Sequence, residues 1–377
     1  MSNDKISRTQ LMALLWAGVM APAAELLPLL TGTGGGAWLA VALAAPLVLA
    51  AGWLSGSLAG RRGLARGVTQ GLGRWVGGAV LTLYIVWGLL LLSLRLRSCA
   101  QRLMSSGERD GALWFFLLTT AAMLMWMGRG KLAAFARAGQ LFLTVLLVTA
   151  GAVLLLSLFR AKPERLLPLE RELAGPMLRG ALSAAGLMGW GLFIPFLMGG
   201  VRDQGENKNW HWLFWGLGGA LLLAAAQAVI LANLGAGLAF RLENPFFALA
   251  KSVGVEGAFQ RVESVVAALW TFADLTMGGV LVFALRAIAA ELLPGKNLTW
   301  VPWTAVFLGT AGAMLLFPAL GSVEEWNRQI VPAGNLVLGL LLPGPLWLAT
   351  RLFRGKEKHA ISCGKNSENP EDIEDKR

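Results

Sequence analysis

Apolar runs of roughly 18 to 25 residues, the length a helix needs to cross a bilayer, recur from one end of this chain to the other. Only 15% of the 377 residues are charged, against about 25% in a typical soluble domain, and 56% are hydrophobic. The sequence therefore predicts an all-α integral membrane protein with about ten transmembrane helices.

The candidate spans follow from averaging hydropathy over windows of about 19 residues. They lie at residues 10–31, 37–58, 74–97, 112–128, 138–159, 178–200, 211–238, 262–291, 300–319 and 331–353. We therefore expect one polytopic domain over 1–355, made of a first repeat at 10–159 and a second repeat at 178–353. The remaining residues, 356–377, are polar and lack an apolar period, which predicts a disordered cytoplasmic tail.

The formal charge of +11 bears on topology and on partners. Lys and Arg occur in short patches between the apolar runs, and more of them fall on the inner side when both termini are cytoplasmic. We therefore expect both ends in the cytoplasm and the basic patches against anionic headgroups of the lipid bilayer. The basic residues form no single amphipathic face, so nucleic acid is not expected as a partner.

Helix-weakening residues recur inside the first and the sixth span. The first contains Gly18 and Pro22, and the sixth reads GLMGWGLFIPFL at 186–197, with Gly186, Gly189, Gly191 and Pro195. In a helix interior glycine costs about 1 kcal/mol and proline about 3 kcal/mol relative to alanine. Paired interruptions at the start of two halves indicate a five-plus-five inverted repeat, LeuT-like, with discontinuous helices 1 and 6. The alternative for either span alone is close helix packing on small residues.

Three stretches carry a family resemblance: KISRTQL at the start of the first span, FIPFL in the sixth, and residues 259–292. In the last stretch Arg261, Glu263 and Trp270 form an R-x-E pattern followed by Trp. With these stretches the chain resembles the spore germination permeases, the B subunits of bacterial germinant receptors, within the amino acid, polyamine and organocation superfamily. The resemblance covers nearly the whole chain, and we expect the three motif residues to be structural.

The resemblance implies a transporter-like fold in the inner membrane of the spore. It also implies sensing of a small germinant, commonly an amino acid, together with an A subunit and a lipoprotein C subunit. It does not establish that solute crosses the membrane. The chain has a single tyrosine, Tyr84, so a pocket built on several tyrosines is not reproduced here.

An amino acid at the membrane midplane presents a carboxylate and an ammonium group. Backbone N–H groups at a helix break suit the carboxylate, and freed carbonyls suit the ammonium. We expect Trp190, Phe193 and Phe196 to wall the side-chain pocket, although aromatic residues in a span also serve packing. The candidate ligand-binding residues are Gly18, Met20, Pro22, Ala23, Tyr84, Gly186, Gly189, Gly191, Phe193 and Thr271.

Asp274 lies well inside the eighth span, where an ionised group costs about 2.5 to 3.5 kcal/mol on insertion scales. It shares one helical face with Glu263, Trp270 and Met277. We expect it to hold a coupling cation, proton or sodium, or to contact the ligand ammonium. The alternative is a structural ion pair with Arg286 or with an arginine of another helix.

Three further residues are candidates on similar grounds. Glu25 lies near the same depth in the first span, as a gate residue or as a buried polar contact. Thr276 offers a hydroxyl beside Asp274, as Thr271 does. Tyr84 supplies a hydroxyl to the cavity in one interpretation and packs or lies at the interface in the other.

Other chemistry has little support in the sequence. His211 and His359 are far apart, and Cys99 and Cys363 fall on opposite sides of the membrane, so we expect no metal site and no disulfide. No nucleophile, base and orienting group occur together, so neither an enzyme nor an organic cofactor is expected. The hypotheses left open are a receptor subunit, an autonomous proton- or sodium-coupled amino-acid transporter of the same fold, and a structural scaffold.

Overall fold

The computed structural model describes residues 4–106, 112–167, 174–202, 209–253, 262–319 and 321–348, with the side chains of 209–215 excepted. Its α-helices are α1 (Arg8–Ala23), α2 (Ala37–Ala59), α3 (Leu64–Ser106), α4 (Leu113–Arg129), α5 (Leu132–Leu158), α6 (Ala174–Met188), α7 (Asn209–Leu234), α8 (Ala236–Ala239), α9 (Pro245–Val253), α10 (Val262–Leu292), α11 (Val301–Leu315) and α12 (Ser322–Leu336). Short 3₁₀ segments occupy Leu27–Leu30, Gly34–Gly36, Pro163–Leu166 and Gly189–Gly200, and a π-helical segment occupies Val337–Leu341.

The expected spans correspond to helical segments of the structure. Among the described residues, seven segments are long and apolar enough to cross a membrane, and α4 and α11 are shorter apolar helices. The expected first span, 10–31, consists of α1 up to Ala23 and the 3₁₀ segment Leu27–Leu30. The boundaries differ in places: α3 continues past residue 97 to Ser106, and α5 begins at Leu132 instead of 138. The expected tail at 356–377 lies outside the described residues.

Helix packing follows the two repeats. In the first repeat α1 packs against α5, and in the second α6 packs against α12, which is the equivalent pairing. The eighth span, α10, lies at the centre, where it contacts α1, α3, α4, α5 and α11 and is buried on nearly all sides from Ala273 to Leu285. The bundle therefore places the first and eighth spans side by side, as the inverted-repeat interpretation requires.

The start of α1 has a local cause. Ser7 caps the helix, because its hydroxyl accepts from the N–H of Gln10 at 3.1 Å while the Gln10 side chain accepts from the N–H of Ser7 at 2.9 Å. The segment before it is tied to the end of the sixth span, since Ile6 pairs with Val201 in the one strand-like bridge of the described chain. Asp4 accepts a hydrogen bond from the N–H of Ala133, near the start of α5.

The two interruptions are present but differ from expectation in position and conformation. Gly18 and Pro22 lie inside α1, which ends at Ala23 and is followed by a turn at 24–25, so the break follows Pro22 instead of surrounding it. Proline lacks the N–H that would donate to the carbonyl four residues earlier. Pro22 lies in the last turn of α1, where the loss of one such bond does not interrupt the helix. In the sixth span α6 changes to 3₁₀ geometry at Gly189.

Candidate functional site

A cluster of polar and charged side chains joins the turn after α1 to α3, α10 and α12, near the end of the bundle opposite the N-terminus. Arg95 donates to Glu25 at 3.0 Å and to Asp274 at 3.4 Å, and Arg102 donates to the second oxygen of Asp274 at 2.8 Å. The side chain of Asn327 donates to Glu25 at 3.1 Å. We call Glu25, Arg95, Arg102, Asp274 and Asn327 the charge cluster.

The charge cluster is almost completely withdrawn from solvent. Asp274 is 1% exposed, and the side chains of Arg95 and Glu25 are 5% and 11% exposed. Two carboxylates face two guanidinium groups, so the charges balance. Removing one partner of a buried ion pair leaves an uncompensated charge and costs about 3 to 5 kcal/mol, so opening this end of the bundle requires new partners for these groups.

The space where the break in α1 faces α3, α6 and α10 is filled from within the chain. The indole ring of Trp190 is fully buried and lies so close to Gly18 that a β-carbon there would stand 2.3 Å from the ring. The N–H of this indole finds no acceptor among the described residues. The remaining central space, about 10 Å³, is just large enough for one water and is lined by Pro22, Leu91, Leu94, Arg95, Leu187, Trp190, Met277, Asn327, Val331 and Asn335.

The carbonyl groups at the first break are occupied by side chains of other helices. The indole N–H of Trp270 donates to the carbonyl of Met20 at 3.0 Å, and the amide of Gln227 donates to the carbonyl of Ala23 at 3.2 Å. Both carbonyls are therefore paired in this structure, as buried backbone acceptors nearly always are. Their part in ligand binding stays a prediction. Trp270 thereby has a structural contact, and its ring packs on Phe246.

A second polar network supports the sixth span. Asn335 donates to the carbonyl of Gly186 at 2.8 Å and accepts from the indole N–H of Trp87 at 2.8 Å. The hydroxyl of Tyr84 donates to the carbonyl of Leu338, in the π-helical segment, at 2.7 Å. Tyr84 is 1% exposed and its hydroxyl bonds to backbone, which favours the packing interpretation of this residue.

The glycines of the sixth span are not brought together around one space. Gly186 lies against the backbone of Pro332, and Gly189 lies against Asn335, both through close helix packing. Gly191 faces Leu15 and, with Gly189, lines a larger cavity on the side of the N-terminus. Gly186 therefore fits the alternative of close helix packing on small residues. A β-carbon at this position would stand 2.4 Å from the carbonyl oxygen of Pro332, so only glycine allows the two segments to approach this closely.

The other described candidates are not among the residues that line the central space. The hydroxyls of Thr271 and Thr276 donate to carbonyls one turn back in their own helix, at 3.5 and 2.7 Å. Phe193 is fully buried and meets the ring of Tyr84 edge-on, with centroids 6.3 Å apart. Glu263 is partly buried at the start of α10, and Arg261 lies outside the described residues.

The structure adds residues that the sequence did not single out. Arg95 and Arg102 stood in the sequence as basic residues near the end of the third span, and they are the arginines of another helix that pair with Asp274. Arg286, the other suggested partner, donates to the carbonyl of Gly130 instead. A signal was available, since three arginines follow one another at 95, 97 and 102 within a continuous helical pattern, where a charge needs a buried partner.

Glu243 extends the acidic surroundings of the charge cluster outside the membrane-spanning segments. It lies between α8 and α9, and desolvation raises its pKa, assisted by the nearby carboxylates of Glu25 and Glu324 and opposed by Arg102. Within the described ranges no group of three or more His, Cys, Asp and Glu residues suits a metal ion. The thiol of Cys99 is buried 3.8 Å from the hydroxyl of Thr120.

Comparison with known proteins agrees with this architecture. Residues 5–318 match the family described as spore germination protein. No curated protein sequence matches the chain. Many solved structures resemble the fold, and three of them have sequence identities of 13% to 15%, low enough to inform on the fold alone.

The first is a nucleobase-cation-symport-1 family transporter in a closed conformation with bromovinylhydantoin bound, with 13% identity, a TM-score of 0.69 and coverage of 91% of this chain and 78% of that one. The second is MhsT in complex with L-phenylalanine, with 15% identity, a TM-score of 0.64 and coverage of 94% and 97%. The third is a manganese transporter of Eremococcus coleocola, with 13% identity, a TM-score of 0.57 and coverage of 97% and 89%. These likenesses confirm the LeuT-like, all-helical membrane fold.

Proposed function

This chain belongs to the spore germination permease family, and from that premise we propose that it is the membrane B subunit of a spore germinant receptor. It binds a small nutrient germinant, an amino acid, and signals germination together with an A subunit and a lipoprotein C subunit. Both termini lie in the cytoplasm, with the charge cluster toward the outer side. The chain is an integral membrane protein, and its family and structural neighbours are permeases and transporters rather than enzymes.

The observation that supports this proposal is the central space closed by Trp190 and by the charge cluster. An amino acid carries one cation and one anion, and the charge cluster offers a partner for each, since Arg95 suits a carboxylate and Glu25 suits an ammonium. A ligand that displaces the indole and substitutes for the Glu25–Arg95 pair stabilises an open form. Because the ligand binds the open form more tightly than the closed form, it shifts the equilibrium toward the open form, and the partner subunits respond to that shift.

The test is nutrient-triggered germination combined with uptake into proteoliposomes. We expect spores that carry Glu25→Gln to lose most of their amino-acid response, because the ammonium loses its charged partner. Glu324→Gln is the matched control, because Glu324 is half exposed and pairs with Arg328 one turn away on the same helix, a contact worth under about 1 kcal/mol. Normal germination of spores that lack the gene, together with strong uptake by the purified protein, would contradict the receptor proposal.

The second candidate is an autonomous amino-acid transporter of the same fold, coupled to protons or sodium. Its support is that Asn335 lines both the central space and the larger cavity toward the N-terminal side, and that solved neighbours are described as transporters. In that case Asp274 holds the coupling ion once Arg95 and Arg102 move away. Uptake by Asp274→Asn with unchanged dependence on pH and sodium would remove this role.

A further inference from the structure

A second cavity lies apart from the central space, on the side of the bundle where the chain begins. It is enclosed by α1, α2, α7, the 3₁₀ segment Gly189–Gly200 and the π-helical segment. Its volume is about 790 Å³, within the range of roughly 300 to 1,000 Å³ typical of small-molecule sites. We call it the bundle cavity.

The body and the rim of the bundle cavity differ in chemistry. The body is mainly aliphatic and aromatic, with residues such as Leu11, Trp16, Val48 and Met198. The rim carries the cationic side chains of Lys5, Arg8, Arg61 and Arg202, and the described lining contains no carboxylate. Within the described ranges, no ion pair involves Lys5, Arg8 or Arg202.

These properties fit poorly with a passage for a small zwitterion. An ammonium group would find no carboxylate in the described lining, and a polar solute would leave hydrogen-bonding capacity unused against the apolar body. An alkyl chain, in contrast, gains about 0.8 kcal/mol for each buried methylene. Asn335 lines both the bundle cavity and the central space, so it lies between them.

We propose that the bundle cavity is a binding site for an amphiphilic anion. An extended alkyl chain occupies the apolar body, and one carboxylate or phosphate head contacts Arg8 and Arg202 at the rim. A free fatty acid and an anionic phospholipid share this chemistry. The proposal does not depend on the germinant, because Arg8, Arg202 and the apolar residues that hold the alkyl chain do not line the central space.

Photolabelling of the full chain in phosphatidylcholine nanodiscs tests the site, with a diazirine analogue of palmitate as the probe. We expect labelled peptides from 41–61 and 185–202, and an at least tenfold weaker labelling by the matching uncharged hexadecanol probe. Competition by unlabelled palmitate identifies the fatty acid as the source. Retention of phosphatidylglycerol by the protein in native mass spectrometry, without such competition, identifies the phospholipid.

Gly56→Phe fills the cavity without touching the backbone, because a β-carbon at Gly56 meets nothing within 4 Å. Gly52→Phe is a second variant of the same kind, and both should reduce labelling at least tenfold. The matched control is Gly151→Phe, which enters equally open space on α5 away from the cavity and should label normally. Equal labelling of all three variants, or neither palmitate competition nor retained phosphatidylglycerol, would overturn the proposal.

Discussion

At the scale of single residues, the contact between Trp190 and Gly18 determines whether the central space is closed. We predict that Gly18→Ala lowers stability by about 1 to 3 kcal/mol, the usual cost of overpacking a filled core, because the β-carbon would stand 2.3 Å from the indole. Thermal unfolding of the purified protein in detergent measures this loss.

A double substitution separates this contact from a general helix effect. Trp190→Ala combined with Gly18→Ala should show less loss than the two single losses added together, because the alanine at 18 clashes only while the Trp190 indole is present. Gly218→Ala is the matched control, since a β-carbon there meets nothing within 4 Å and alanine favours a helix. If the losses in stability are additive, the cost of Gly18→Ala does not come from a clash with Trp190.

At the scale of elements, α3 shows how backbone geometry positions the charge cluster. Gly73 has φ +77° and ψ 173°, so the residues before it turn away from the long helix after it. From Gly73 to Arg95 the helix rises about 30 Å, close to the full hydrocarbon thickness of a bilayer. The kink at Gly73 thus lies at the N-terminal side of the bundle, and the helix after it places Arg95 and Arg102 at the opposite end.

We predict that Gly73→Ala lowers stability by roughly 1 to 3 kcal/mol, because that backbone conformation is essentially restricted to glycine. Space is not the cause, since nothing lies within 4 Å of a β-carbon at this position. Gly78→Ala is the matched control in the same helix, with negative φ and only an ordinary contact to Leu292. Equal melting temperatures for the two variants would contradict the prediction.

At the scale of the whole molecule, the end of the bundle opposite the N-terminus is closed, and a native thiol reports on it. Cys99 lies on α3 between Arg95 and Arg102 and is fully buried. In a Cys363→Ser background we predict slow maleimide labelling of Cys99 and several-fold faster labelling when Glu25→Gln weakens the closure. The mass shift of the intact protein measures both rates.

The control for this measurement is Glu324→Gln, which removes only a half-exposed pair with Arg328 and should leave the labelling rate unchanged. Labelling of Cys99 at one rate in all three proteins would show that the charge cluster does not hold this end closed. A rate that rises in saturating amino acid would in addition support the proposed coupling between ligand and opening.

The sequence by itself determined that the chain is a helical membrane protein, since this depends on continuous apolar runs and on local signals such as the Ser7–Gln10 cap. The paired interruptions in the first and sixth spans were also visible in it, although their boundaries shifted by a few residues. Only the tertiary structure decided that Asp274 meets arginines more than 170 residues away and that Trp190 fills the space beside Gly18. The physical reason is range: helix formation is set by neighbours along the chain, whereas the partner of a buried charge and the contents of a cavity depend on which distant helices pack together.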